Sequence, residues 1–168
     1  KYPESCSNTL EHELVYSGPY KLSDKLPGSK QTVGKAMLSP TRTYIPVVKE
    51  VLANFGSQIH GLIHSTGGGQ VKCKNFGENL HYIKDDLFEP PPIFRVIQDQ
   101  GQISKKEMYQ IFNMGQRLEV YCKPHIADNV IKISRKFKID AKVIGRVEKN
   151  KSKSNNVTIA AEGKVFYY

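Results

Sequence analysis

The chain has 168 residues, 39% of them hydrophobic, with 25 lysines and arginines against 16 acidic residues and a formal charge of +9. That length and apolar content suit one globular domain with an extension rather than a disordered chain, and no apolar run approaches the roughly 20 residues that a membrane helix needs. Three scattered cysteines, Cys6, Cys73 and Cys122, are too few for a disulfide framework or a zinc site and suit a reducing cytoplasm.

The basic residues are spread through the chain without a stacking motif, so nucleic acid is not the expected partner. The opening Lys1-Tyr2-Pro3-Glu4-Ser5 has no methionine and no signal-peptide pattern. We therefore expect the chain to be a piece of a longer protein. Residues 1–34, with Pro3, Gly18-Pro19, Pro27-Gly28 and Gly34, read as a loop-rich lead-in with short strands near Glu13–Tyr16 and Tyr20–Ser23. The main domain is expected over 35–168.

Val47, Val48, Val51, Leu52 and Phe55 recur at the spacing that puts one apolar face on a helix. The start is set near Thr43 or Tyr44 with Pro46 in the first turn, and the end at Gly56. Just ahead, Thr41 and Arg42 offer a hydroxyl and a forked cation, a pair able to grip phosphate. A helix cap and a surface arginine explain the same two residues.

Ile59–Ile63 predicts a strand, followed by His64-Ser65-Thr66-Gly67-Gly68-Gly69. Consecutive glycines let backbone N–H groups crowd round an oxyanion while the chain turns, and His64 and Thr66 stand at the lip of that cradle. A turn whose glycines serve only the backbone is the plainer alternative. Gln70–Phe76 reads as a short helix and Leu80–Ile83 as a strand with Leu80 and Tyr82 on one face. His60 and His81 lie in strands and are left out of the site.

Beyond Glu89-Pro90-Pro91-Pro92 a helix is expected through Ile93, Phe94, Val96 and Ile97, closing at Gly101. Ser104-Lys105-Lys106-Glu107 has the form of a capping box and opens a second helix, stopped at Asn113-Met114-Gly115. Leu118–Cys122 reads as a strand with Leu118, Val120 and Cys122 inward, and Pro124–Phe137 as an amphipathic helix through Ile126, Val130, Ile131 and Phe137. A strand over Ala141–Val147 and a polar turn at 150–156 come next. Val157–Ala160 and Val165–Tyr168 close the chain as a hairpin across Glu162-Gly163. The fold class expected from this order is α+β, a mixed-sheet α/β sandwich.

Four ordered motifs are more specific than any one of them. Ser39-Pro40-Thr41-Arg42-Thr43-Tyr44, the His64–Gly69 run, Pro91-Pro92-Ile93-Phe94 and Glu107–Gly115, with Ile144-Gly145-Arg146-Val147 near the end, resemble the C-terminal domain of the aminoimidazole ribonucleotide synthetase (phosphoribosylformylglycinamidine cyclo-ligase) family over roughly 35–148. The chain resembles a divergent branch. Ser65 stands where the family usually has isoleucine, Gln70-Val71-Lys72-Cys73-Lys74 replaces its acidic Glu-Asn stretch, and Arg117 replaces a glycine.

The resemblance implies a cytoplasmic, homodimeric enzyme of purine biosynthesis that uses ATP to close formylglycinamidine ribonucleotide into an imidazole. It also implies that ATP and magnesium are held mainly by an N-terminal domain that this chain does not contain. On that likeness His64 is the candidate catalytic residue, and Thr41, Arg42, Thr66, Gly67, Gly68 and Gly69 are candidate substrate or phosphate ligands. Asn113 and Gly115 are further candidates, although ending a helix is enough to explain them, and no residue is assigned to a metal. The alternatives are a non-catalytic module for a ligand or nucleic acid, or a related ATP-using family with another substrate.

Overall fold

A computed structural model of the chain describes residues 19–168. The strand expected near Glu13–Tyr16 lies outside them. Tyr20–Ser23 is not a strand but leads into a turn: the Lys21 N–H donates to the Asp24 carboxylate at 2.7 Å, and the Asp24 N–H donates back to the Lys21 carbonyl at 3.0 Å. Short polar side chains compete with strand pairing in this way. A short helix not expected from the sequence, α1 (Val33–Met37), follows, its first turn capped by Thr32, which accepts from the Lys35 N–H. Leu26 and Val33 are buried, so this part of the lead-in packs down.

Helix α2 (Ile45–Phe55) starts after Tyr44 with Pro46 in its first turn and buries Val47 and Val51. It does not stop in a left-handed glycine; Gly56 stays right-handed and the chain tightens into a 3₁₀ turn at Gly56–Gln58. Strand β1 (Ile59–His64) then pairs antiparallel with β3 (Leu118–Cys122), with a bulge between Ile59 and Gly61. A bulge reverses the facing of the residues beyond it. Ile59 accordingly packs among Val47, Val51, Ile126 and Val130, whereas Ile63 joins the core on the opposite face.

A second, four-stranded sheet runs in the order β4 (Gly145–Lys149), β2 (Leu80–Lys84), β5 (Asn156–Ala161), β6 (Lys164–Tyr167), with β2 and β5 parallel and the other pairs antiparallel. Tyr82, Val157 and Ile159 from this sheet, Met108 and Tyr109 from α4 (Lys105–Ile111), and Ile63, Cys73 and Met114 form the larger core. The β1–β3 ribbon is thus covered on both faces, by α2 and α5 (Ala127–Lys136) on one and by the larger core on the other. The α+β, mixed-sheet class expected from the sequence is the class observed.

Several boundaries differ from the expectation. Helix α3 (Pro92–Gly101) runs through Gly101 and ends at Gln102, which takes the left-handed conformation at φ 50°. Pro124–Ile126 is a 3₁₀ turn ahead of α5, and Ile133 rather than Ile131 packs on the core. Residues 141–144 are not strand; β4 begins only at Gly145, where an added Cβ would lie 1.9 Å from the Ile83 carbonyl oxygen. In β3 the most buried side chain is Glu119, not an apolar one. Alternation cannot reveal inward residues in a strand buried on both faces.

Burial gives this core an alkaline limit. The Tyr109 and Tyr168 phenols are pushed up to about 12, chiefly by desolvation and then by Glu162 and Tyr109 respectively. The unfolded chain releases those protons near pH 10 while the folded chain keeps them, so their stabilisation is complete below pH 10 and is lost as pH rises toward 12. We expect urea unfolding midpoints to fall across that window and the fall to be shallower in Tyr109→Phe. An equal slope in the variant would show that this phenol is not responsible.

Candidate functional site

The chain leaves β1 at the exposed His64, and the next residue anchors it. Ser65 is buried, its N–H donating to the Arg117 carbonyl at 2.7 Å and its hydroxyl to Glu119 Oε1 at 3.4 Å. Thr66, Gly67 and Gly68 then stand exposed, and Gly69 returns to the interior. The Gly69 N–H closes the bend by donating to the Thr66 carbonyl at 3.2 Å. Among the described residues, the N–H groups of Gly67 and Gly68 meet no backbone carbonyl.

The three glycines are not equivalent. Gly69 sits at φ 52° with an added Cβ only 2.6 Å from the carbonyl oxygens of Tyr109 and Phe112, so packing alone demands it. Gly68, at φ 86°, is demanded by backbone conformation. Gly67 is held by neither: its φ is not positive and an added Cβ would meet nothing within 4 Å.

The helix expected after the loop is a seven-residue 3₁₀ segment, Gly69–Asn75. Its inner side is fixed by a polar cluster. Gln70 is fully buried, its Nε2 donating to the Asn113 and Gln116 carbonyls at 2.6 and 3.1 Å. Lys84 Nζ donates to the Gln70 carbonyl at 2.6 Å and to Glu119 Oε1 at 2.5 Å. The Tyr121 hydroxyl donates to Glu119 Oε2. Burial pushes the Tyr121 phenol up, with the Glu119 charge acting in the same sense, and burial likewise raises the Cys73 thiol against the pull of Lys84.

On the outer side Lys72 reaches back over the bend, its Nζ donating to Thr66 Oγ1 at 2.7 Å and to the His64 carbonyl at 3.0 Å. The Tyr44 ring meets the His64 imidazole edge-on at 5.9 Å between centroids, which joins the start of α2 to the lip of the loop. His64, Thr66 and the glycines therefore come together. Thr41 and Arg42 lie in the coil before Tyr44; the Arg42 guanidinium donates to the Lys138 carbonyl at 3.4 Å and makes no hydrogen bond to the loop. Asn113 and Gly115 sit behind it, where Asn113 Oδ1 accepts from the Gly115 N–H at 2.9 Å and the Asn113 carbonyl holds Gln70.

Sequence reasoning missed Lys72, Lys84 and Glu119. A lysine ending a strand and a glutamate inside one read as solvent-facing, and only pairing across strands distant in sequence explains their burial. Among the described residues no group of three His, Cys, Asp or Glu side chains converges. No helix among them is long and apolar enough to cross a membrane.

The sequence model of the AIR synthase related protein C-terminal domain matches residues 14–157. The phosphoribosylformylglycinamidine cyclo-ligase of Methanopyrus kandleri is 35% identical over 143 residues, 85% of this chain and 40% of the relative. The enzyme of that name from Methanocaldococcus jannaschii is 41% identical over 126 residues, 75% of this chain and 36% of the relative. That from Methanococcus vannielii is 39% identical over 120 residues, 71% of this chain and 34% of the relative. The chain thus spans well under half the length of the curated relatives it matches.

Two expectations follow. Removing one partner of a buried ion pair leaves the other charge uncompensated, so Lys84→Met is expected to cost ~3–5 kcal/mol in urea unfolding, partly recovered in Lys84→Met/Glu119→Leu. Gly69→Ala is expected to cost more than ~1–3 kcal/mol, since strain at φ > 0 adds to a clash with two carbonyls, whereas Gly67→Ala should leave stability unchanged.

Proposed function

The chain belongs to the AIR synthase related protein family, as its C-terminal domain, and from that premise we propose that it lines the substrate side of the cleft in an ATP-dependent cyclo-ligase. The reaction is closure of formylglycinamidine ribonucleotide to aminoimidazole ribonucleotide. The observation that carries the reading is the loop itself: an exposed bend with N–H groups that meet no backbone carbonyl among the described residues, a histidine, a threonine hydroxyl and a fixed ammonium. That is donor chemistry for a phosphate.

ATP, when bound, supplies the phosphoryl group that makes the formyl oxygen a leaving group. What this domain supplies is positioning and electrostatics. The amides of Gly67 and Gly68 and the Thr66 hydroxyl offer hydrogen bonds to phosphate oxygens. His64, exposed at the strand end with the Tyr44 ring edge-on against it, is free to donate to an oxygen or to move a proton. Thr41 and Arg42, two or three residues ahead of Tyr44, belong to the same wall in this proposal, with Arg42 leaving Lys138 when an anion arrives.

In this proposal magnesium and most nucleotide contacts fall to a partner domain, as the resemblance to the family implies. Dimerisation and a cytoplasmic setting belong to the same proposal. A nucleic-acid module is not favoured: six of the basic side chains, Lys84, Arg95, Lys105, Lys136, Lys142 and Arg146, are already engaged with carboxylates.

In the intact enzyme His64→Ala is expected to lower turnover at least ~10-fold with an unchanged thermal midpoint, the share of one charge-assisted contact. The same assay on Arg42→Ala decides whether that residue joins the site. Full turnover in both would remove them from the mechanism.

A further inference from the structure

We propose that Lys72 is the residue that binds the ribose phosphate of the substrate at this loop, an assignment that rests on the reading of the loop given above. The sequence marks Lys72 only as one lysine among many. The structure gives it a fixed place: its stem crosses Gly68, the lysine Cβ lying 3.6 Å from where a Gly68 side chain would begin, and its ammonium is held by the Thr66 hydroxyl at 2.7 Å and the His64 carbonyl at 3.0 Å.

Charge decides what the ammonium lacks. Two lysines grip this segment, and they differ. Lys84 is buried and its charge is met by Glu119, whereas both partners of Lys72 are neutral oxygens and no carboxylate lies within ion-pair distance of it among the described residues. An ammonium carries three donors. Two are spent on the loop, so one donor and the whole charge remain for a ligand.

The contact also sets the direction of the Thr66 hydroxyl. Because Thr66 Oγ1 accepts from Lys72, its own proton is free to be donated. An unneutralised point charge, one hydroxyl donor and the amides of Gly67 and Gly68 lie within one short exposed bend, a set of donors that suits a compact group with several oxygens. A phosphate monoester has that form, and lysine binds it as a point charge. Gly67, which the fold does not require to be glycine, leaves room for the group to approach the backbone.

Substrate and ATP both bring phosphate, and kinetics on the intact enzyme separates them. Lys72→Met is expected to raise KM for formylglycinamidine ribonucleotide about 10-fold while KM for ATP and kcat stay within about 2-fold, as for loss of one ground-state ionic contact. Lys72→Arg should recover most of the affinity, and the thermal midpoint should not move. A rise in KM for ATP instead would overturn the assignment to the ribose phosphate. Unchanged KM values, with His64→Ala still slowing turnover, would remove Lys72 and leave the loop in place. If neither variant had an effect, the reading of the loop as the site would itself fail.

Discussion

A buried ammonium and a buried carboxylate, Lys84 and Glu119, hold the parts of this domain in register. Both are almost wholly shielded from water, and the pair joins the middle of the four-stranded sheet to the two-stranded ribbon. Neither charge could stay inside alone; desolvating an ion costs several kcal/mol, and only good geometry with further hydrogen bonds offsets it. Those further bonds come from the Gln70 carbonyl and side chain on the lysine and from Ser65 and Tyr121 on the glutamate. The pair therefore recruits the residues on either side of the glycine bend.

That arrangement explains how a loop of small residues can hold one shape. Ser65 and Gln70 are tied inside, so the four residues between them form a short arch on two fixed feet. Gly69 closes the inner end against the carbonyls of α4, while Thr66, Gly67 and Gly68 face water. Pre-organised donors need no rearrangement when charge arrives, which is the condition under which they contribute most. The same feet keep Lys72 over the arch.

Much of this was legible in the sequence, and what was not has a physical cause. Periodicity located α2, and the alternation and Glu162-Gly163 turn located the closing hairpin, because these depend on neighbours in the chain. The glycine bend was visible for the same reason. Tyr20–Ser23 failed because one aspartate outweighed a weak strand preference, and residues 141–144 failed because the strand begins only where Gly145 permits close approach to β2. Glu119 was invisible because its partner lies on another strand. Where the Arg42 side chain rests was not legible either, because order in the sequence does not fix a long side chain, and its guanidinium donates to the Lys138 carbonyl.

The two feet of the loop, Ser65 and Gln70, belong to one polar cluster. Serine at 65 places a hydroxyl on Glu119 where an isoleucine would leave that carboxylate oxygen with fewer partners. Gln70 is a neutral amide between the two carbonyls and the ammonium. With Lys84 already matched by Glu119, a second carboxylate at position 70 would put two negative charges on one buried ammonium, and two carboxylates sharing a site resist joint ionisation. An amide keeps the acceptor that Lys84 uses and adds the donors that hold the Asn113 and Gln116 carbonyls. Ser65, Gln70, Lys84 and Glu119 are thus best understood as one electrostatic solution, in which changing any member alone takes a hydrogen bond from a buried group and loosens the arch.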